Sequence, residues 1–266
     1  MSGEILVVRC GTVPYEEARE LQREVAARRR REEIGDVLLL LEHPPVYTRG
    51  RRSKPEELPM GAAWYEAQGI EVRDTNRGGL VTYHGPGQLV AYPIVHLGAY
   101  GGDVHEYVRG LERTMIESLG EAGVQARTIE GLTGVWVPWA ETSTPSRRRD
   151  ERTGPAGQNG PSGDAGGHFG PSPGGARKIG SIGLHVSRGV TTHGLAVNVN
   201  NDLQPFEWVV PCGIEGVSMT SLARELGAEQ DLDAFADALV AAYARVFDRE
   251  AAVAASVPKA PGATLR

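Results

Sequence analysis

Cysteine is scarce. Cys10 and Cys212 are the two in 266 residues, too few for a disulfide framework or a zinc ligand set. No apolar run approaches the roughly 18 residues of a membrane-spanning helix, and the opening MSGEILVVRC has no basic region followed by an apolar signal core. A cytoplasmic protein without a membrane partner is the expectation. Basic excess is missing too: the net charge is −6, whereas general nucleic-acid binding wants a basic surface, so no nucleic-acid partner is expected. A hydrophobic content of 40% and a charged content of 23% are those of a globular protein, with length enough for one large domain and hardly for two.

Along the chain, residues 4–9 read as a short strand and Pro14 opens a helix running to about Arg31, with Tyr15, Ala18, Leu21 and Val25 on one face. The run VLLLL at 37–41 reads as a buried central strand. A Pro/Arg-rich loop follows at 43–59. Segments 70–75, 80–83 and 89–95 read as strands broken by the Gly78-Gly79 and Gly85-Pro86-Gly87 turns. The clearest helix is 103–120, with Val104, Val108, Leu111, Met115 and Leu119 in register. Strands at 179–186 and 195–200 flank a turn near Arg188-Gly189, and a last helix at 231–247 buries Leu232, Phe235, Leu239 and Val246. Eighteen of the thirty-five residues at 141–175 are Gly, Pro or Ser, and its apolar residues are Ala156, Ala165 and Phe169; such a segment cannot offset its ordering entropy and reads as a disordered insertion. Strands in the middle with helices outside give an α+β class with one core sheet. The expected organisation is a single domain over 1–256 carrying that insertion, with a flexible tail at 257–266.

Three segments are rich in residues that cost stability unless they serve something. RGGLVTYHGPGQLVAYP (77–93) has paired glycines that let backbone approach a bound group, with His84 between its turns. RKIGSIGLHV (177–186) sets Lys178 before a Gly-flanked Ser181, and THGLAVNVNNDLQPFEWVVPCGI (192–214) ends on Cys212 between Pro211 and Gly213. Singly, each has an ordinary reading: a turn, a solvated lysine, histidines with satisfied partners at 84 and 193, a small buried thiol.

Together they resemble one family. R-G-G-x-x-T-[YF]-H-x-x-G-Q-x-x-x-Y-P fits 77–93, K-I-x-S-[IL]-G-[LV] fits 178–184, H-G-[LF]-A-[LV]-N-[VI]-x-x-D-L-x-x-F fits 193–206 and P-C-G-[IY] fits 211–214; EHPPVYT at 42–48 is family-like as well. The pattern is that of the lipoyl(octanoyl) transferases, relatives of the biotin and lipoate ligases, and it covers nearly the whole chain except 141–175. The resemblance implies a biotin/lipoate protein ligase-like catalytic domain with one core mixed sheet flanked by helices.

It also implies an activity: transfer of an octanoyl group from octanoyl-acyl carrier protein to a lysine of lipoyl domains, in 2-oxoacid dehydrogenase E2 subunits and the glycine cleavage H protein, as the first step of protein lipoylation. By the same resemblance Cys212 carries the acyl group as a thioester and Lys178 lowers that thiol's pKa. Arg77, Gly78, Gly79, Leu80, Val81, Thr82, Tyr83 and His84, with Ser181, Ile182, Gly183, Gly194, Leu195 and Ala196, line the acyl channel. No metal or cofactor is expected. The chemistry is consistent, since a free thiol titrates near pH 8.5 and the thiolate is the nucleophile, so a nearby ammonium favours the reactive form. Small residues suit a narrow slot for a straight chain, and either a backbone N–H near Leu195 or the His84 imidazole is the expected oxyanion donor. Arg49, Arg51 and Arg52 are the expected basic patch for acidic protein substrates, and Cys10 is expected to be buried and inert.

The nearest alternative is an ATP-dependent lipoate or biotin ligase of the same fold, which needs an adenylate-binding loop but no nucleophilic cysteine. No G-x-x-x-x-G-K-[ST] phosphate loop occurs. A non-catalytic acyl-binding protein is a second, and it would not need both Lys178 and Cys212. A thioester hydrolase using the same cysteine is a third.

Overall fold

A computed structural model describes residues 3–138, 175–209 and 217–258. The expected insertion at 141–175 lies outside the described residues except for Gly175, as do 259–266 of the expected tail and Cys212 itself.

Strand β1 (Gly3–Thr12) leads into helix α1 (Tyr15–Arg30). Glu16 and Glu17 stand in the first turn of α1 and Arg28 to Arg30 in its last, which complements the helix dipole. Its buried stripe is Tyr15, Ala18, Gln22, Val25 and Ala26. Strand β2 (Asp36–Glu42) buries every residue from Asp36 to Leu41, as an apolar run with both faces covered must. Leu38 and Leu40 enter one core, while Val37, Leu39 and Leu41 enter another with Val25 and Ala26 of α1.

The first core is closed by α3 (Val104–Glu121) and α5 (Leu232–Phe247), through Tyr107, Leu111, Met115 and Leu119 from one and Phe235, Leu239 and Tyr243 from the other. Both helices start on an aspartate that accepts backbone N–H bonds: Asp103 from His105 (2.6 Å) and Glu106 (3.0 Å), Asp231 from Ala234 (3.0 Å).

The large mixed sheet has nine strands. β6 (Gln88–Ile94), β8 (Leu132–Val137), β9 (Arg177–Ser187) and β10 (Val190–Asn198) form its middle, with β7 (Arg127–Ile129) at one edge and β12 (Arg249–Ala254) at the other. The order is β12-β1-β2-β6-β10-β9-β8-β7, and β11 (Ser218–Met219) joins β9 beyond that path. β1 is parallel to β12 and β2; from β2 to β7 every pairing is antiparallel. This is the expected core sheet. A second sheet, not foreseen, has β3 (Val46–Arg49) between β4 (Glu71–Asp74) and β5 (Val81–His84).

Part of the segment read as loop at 43–59 is therefore strand. β3 draws its stability from a tyrosine-rich core of Tyr47, Tyr65 and Tyr83, which includes α2 (Ala62–Ala67) and reaches Phe206 and Val209. β7, β8, β12 and the short α4 (Leu222–Leu226) were likewise unforeseen: β7 has three residues and pairs with β8 across a tight turn, while β8 and β12 pair with β9 and β1, remote in sequence. The β9–β10 hairpin turns where expected. Ser187 pairs with Val190, and Arg188 and Gly189 both have positive φ (51° and 76°), as a two-residue type I′ turn requires.

Leu39, fully buried at the centre of β2, tests this architecture. Leu39→Ala is expected to lower unfolding stability by about 2–5 kcal/mol, read from urea midpoints; a loss below about 1 kcal/mol would show that β2 is not the packed centre.

Candidate active site

Between the large sheet and the second sheet, where α1 begins, lies an open-mouthed cleft. Its floor is the α1-side face of β9 and β10. Ser181 pairs with Ala196, Ile182 with Leu195, Gly183 with Gly194 and Leu184 with His193. Of the residues expected at the site, Lys178, Arg77, Gly79, Leu80, Val81, Thr82, His84, Ser181, Ile182, Gly183, Gly194, Leu195 and Ala196 line it. Gly78 and Tyr83 do not. Gly78 donates its N–H to the Leu184 carbonyl (2.8 Å), seating its loop on β9. Tyr83 alternates to the opposite face of β5 and packs on Tyr47 and Phe206, each 5.5 Å away between ring centroids.

Lys178 reaches the cleft through a bulge. Across β8, Val135 pairs with Gly180 but Trp136 pairs with Lys178, so Ile179 is an extra residue in β9. Ile179 packs in the α3 core and a Cβ on Gly180 would meet Met115, so these two neighbours face the same side. Strict alternation would have sent Lys178 there as well. The bulge returns it to the cleft face with Ser181 and Gly183, its Nζ 5.3 Å from the Trp136 ring centroid. Gly134, at φ 114°, leaves room for the side chain, since a Cβ there would stand 2.8 Å from Lys178 Cε.

The glycines serve backbone approach more than ligand space. A Cβ on Gly183 would stand 3.0 Å from the Gly78 carbonyl oxygen, one on Gly194 would collide with the Ala91 carbonyl, and one on Gly50 with that of Gly79. Arg77 ties these strands of backbone together. Its guanidinium donates to the carbonyls of Gly78 (2.9 Å), Thr48 (2.6 Å) and Leu80 (2.7 Å) and to Thr48 Oγ1.

Three histidines surround the cleft in defined states. His43 Nδ1 lies 2.7 Å from the Val13 carbonyl, which only accepts, so Nδ1 carries the proton and Nε2 accepts from the Tyr92 hydroxyl (2.7 Å). The His84 tautomer is set at a distance. Asn198 must donate from Nδ2 to the Thr220 carbonyl (2.9 Å), so its Oδ1 accepts from Gln88 Nε2 (2.9 Å), and Gln88 Oε1 accepts from His84 Nδ1 (2.7 Å). His84 Nε2 is left as a lone pair. This corrects the expectation that His84 donates to an oxyanion, because the neutral ring has no second N–H. Leu195 is no better placed, as it lies mid-strand between β6 and β10's other neighbour β9 and its N–H belongs to the ladder. His193 has φ 57°, donates its backbone N–H to Gln22 Oε1 (2.6 Å), and meets Asn76 Oδ1 at 2.8 Å through Nε2.

Tyr15, Tyr92 and His193 also border the cleft and were not assigned to it from the sequence. Alternation along β6 from Gln88 to Tyr92 carries a signal for Tyr92; Tyr15 as the first residue of α1 carries none. Of the expected basic patch, Arg49 is paired to Asp74 (2.7 Å), while Arg51 borders a surface hollow with Arg19 and Arg23 of α1. Cys10 is half-buried, its Sγ 3.8 Å from the Val8 carbonyl, and burial pushes its thiol pKa up, which favours the unreactive form. Among the described residues no group of three or more His, Cys, Asp or Glu is placed to hold a metal ion, and no helix is long and apolar enough to cross a membrane.

Desolvation holds all three histidines neutral: His43 falls to about 4, His84 to about 3 and His193 to about 3. In the unfolded chain they titrate near 6.5. The unfolded state therefore takes up protons first, and the stability they contribute is intact above about pH 6.5 and is lost as pH falls towards 4. With three such groups the slope approaches about 4 kcal/mol per pH unit near pH 5. Urea midpoints at pH 7 and pH 5 are expected to show this fall, shallower by one proton in His84→Gln; equal midpoints at both pH values would contradict it.

The sequence profile of the lipoyl protein ligase A/B catalytic domain matches residues 14–244. An octanoyltransferase of Chloroflexus aggregans is 42% identical over 245 residues, covering 92% of this chain and 95% of that one, and an octanoyltransferase of Mycolicibacterium smegmatis is 41% identical over 249 residues, covering 93% and 91%. Among solved structures, a bipartite lipoate protein ligase of Thermoplasma acidophilum superposes with a TM-score of 0.64 at 16% identity, over 96% of this chain and 87% of that one. A lipoate-protein ligase A bound with ATP gives 0.57 at 15% identity, over 96% and 90%. With its strands in that arrangement and its sequence this close to those enzymes, the chain belongs to the octanoyltransferases, a family built on the lipoyl protein ligase A/B catalytic domain.

Proposed function

We propose that this protein is an acyltransferase that moves an octanoyl group from octanoyl-acyl carrier protein onto a lysine of lipoyl domains, through a thioester on Cys212. It acts in the cytoplasm as one catalytic domain over 1–256. The acceptors are lipoyl domains of 2-oxoacid dehydrogenase E2 subunits and the glycine cleavage H protein. The observation that carries the reading is Lys178, turned by the Ile179 bulge into a cleft whose floor is lined by Ser181, Ile182 and Gly183 of β9 and Gly194, Leu195 and Ala196 of β10.

Two steps balance. The Cys212 thiolate attacks the donor's thioester carbonyl and the carrier's thiolate leaves, taking up the proton that left Cys212. The acceptor amine then attacks the Cys212 thioester, the amide forms, Cys212 leaves as thiolate, and the amine's proton passes to a base. Lys178 is suited to hold that proton in both steps. The chain near the cysteine is tied to this region on both sides. Tyr47 and Tyr65 donate to the carbonyls of Pro205 (2.5 Å) and Trp208 (2.7 Å). Val217, five residues after Cys212, packs on Trp136, and Thr220 donates its N–H to the Lys178 carbonyl (2.9 Å). Thioester to amide runs without ATP, which separates this reading from that of a ligase.

Intact-mass spectrometry after mixing with octanoyl-carrier protein, without ATP, tests it. A one-octanoyl adduct is expected on the wild type, absent from Cys212→Ser, formed about 10²–10⁴-fold more slowly by Lys178→Ala, and discharged by an apo lipoyl domain. Modification that appears only with ATP would move the protein to the ligase class; free octanoate released in the presence of acceptor would make it a hydrolase.

Of the expected patch, Arg51 and Arg52 are proposed to steer acidic carriers, Arg49 being paired to Asp74. kcat/KM for carrier-bound donor is then expected to fall with added salt, since exposed charges are screened beyond about 10 Å at 0.1 M. A flat salt profile would sink this assignment.

A further inference from the structure

We infer that the hollow between α1 and the β9–β10 hairpin is a seat for a phosphate group. Arg19, Gln22, Arg23 and Arg30, on one face of α1, line one side of it. His185, Ser187 and Thr192 of the hairpin line the other. Each of these side chains brings an N–H or O–H donor. Among the described residues no carboxylate lines this inner space.

Gln22 marks the hollow as a built site and not only a charged surface. It is 1% exposed. Its Oε1 accepts from the His193 backbone N–H (2.6 Å), a group that can only donate, so the amide's orientation is fixed and Nε2 holds both N–H groups. Nε2 is buried and has no hydrogen-bond partner among the described residues. A buried donor of that kind costs stability unless an acceptor is supplied. Gln22 lines the hollow, so an occupant of the hollow is placed to supply one.

The charge favours an anion. Arg30 makes no ion pair among the described residues. Arg19 is paired with Glu16 (2.6 Å) and Arg23 with Glu16 (3.2 Å) and Glu20 (2.7 Å), but these glutamates are exposed, and exposed pairs are weak enough to yield to a competing anion. Outwards the hollow continues past Arg51 and Asp74, where Arg49 holds the aspartate (2.7 Å). Guanidinium, amide, imidazole and hydroxyl donors on facing walls exceed what the two oxygens of a carboxylate can use. A phosphate accepts from several sides, and its edges match the guanidinium fork.

The seat adjoins the acyl site, because His193, which Gln22 holds by its backbone, lines both the hollow and the cleft. Two sources bring the same chemistry there: a free phosphate, or the phosphodiester of the arm that joins the acyl thioester to its carrier. The second source rests on the transferase reading.

Calorimetric titration of the full chain with inorganic phosphate, at constant ionic strength in chloride, tests the seat. The wild type is expected to bind one phosphate with a Kd of about 1 mM or tighter. Gln22→Glu keeps the acceptor for the His193 N–H but puts a carboxylate where the amide donor stood, and Arg30→Gln removes the unpaired charge. Each is expected to weaken binding about tenfold or more. Arg113→Gln, the same charge change at an exposed position of α3, is expected to leave it within about twofold. No saturable binding, or binding unchanged in both hollow variants, would make phosphate an adventitious ion only and overturn the inference. Octanoyl-pantetheine and octanoyl-phosphopantetheine, compared as donors to an apo lipoyl domain without ATP, separate the sources. If the phosphate arrives on the donor, the phosphorylated donor is expected to show a kcat/KM about tenfold higher, an advantage lost in Arg30→Gln. Equal values for the two donors, with phosphate bound in the titration, assign the seat to free phosphate. Absence of transfer from either donor would overturn the transferase reading and leave the titration result standing.

Discussion

The cleft depends on how closely three stretches of backbone can lie. The loop at 77–80 rests on β9 through the Gly78–Leu184 hydrogen bond, and the end of β3 rests on the same loop at Gly50 and Gly79. Side chains at Gly183 or Gly50 would hold these stretches apart. Arg77 completes the joint by donating to three carbonyls, so its buried charge is met by oriented dipoles of the backbone it binds together. The second sheet is thereby fixed over the face of β9 and β10 that α1 leaves open, and the space between them is the cleft.

That space is polar at its edges yet carries little formal charge. His43, His84 and His193 are each kept neutral by burial, with one ring nitrogen committed to a protein partner. Arg77 adds to this by disfavouring a second positive charge on His84 and His193. Neutral imidazoles suit an apolar ligand better than charged ones would, and the Arg77 charge is already met by backbone carbonyls. Lys178 enters the cleft at the end of β9 remote from the Leu184–His193 rung.

Much of the fold was legible. The continuous apolar run of β2, the helical spacing of α3 and α5 and the hairpin turn at Arg188-Gly189 are local patterns with local causes. β3, β7, β8 and β12 were not legible. Their sequences are short, and β12 is ordered by lying parallel to β1 more than two hundred residues earlier. Tyr47 shows the difficulty well, since a lone tyrosine after Pro44-Pro45 gives no sign that its ring will meet Tyr65 and Tyr83.

The sequence by itself determined the chemical inventory: a lysine, a cysteine, the histidines and the glycine spacing that mark an octanoyltransferase, because residue identity and order are what the family motifs consist of. Tertiary structure alone decided orientation. Alternation would have turned Lys178 towards α3, and the Ile179 bulge reverses it because β8 offers one residue where β9 has two. The His84 proton sits on Nδ1 because Thr220, far along the chain, presents a carbonyl that can only accept. His193 came to border the cleft only when β10 was laid beside β9 and α1 brought Gln22 to its backbone. Each of these is a direction in space, and direction is set by partners that a linear sequence does not bring together.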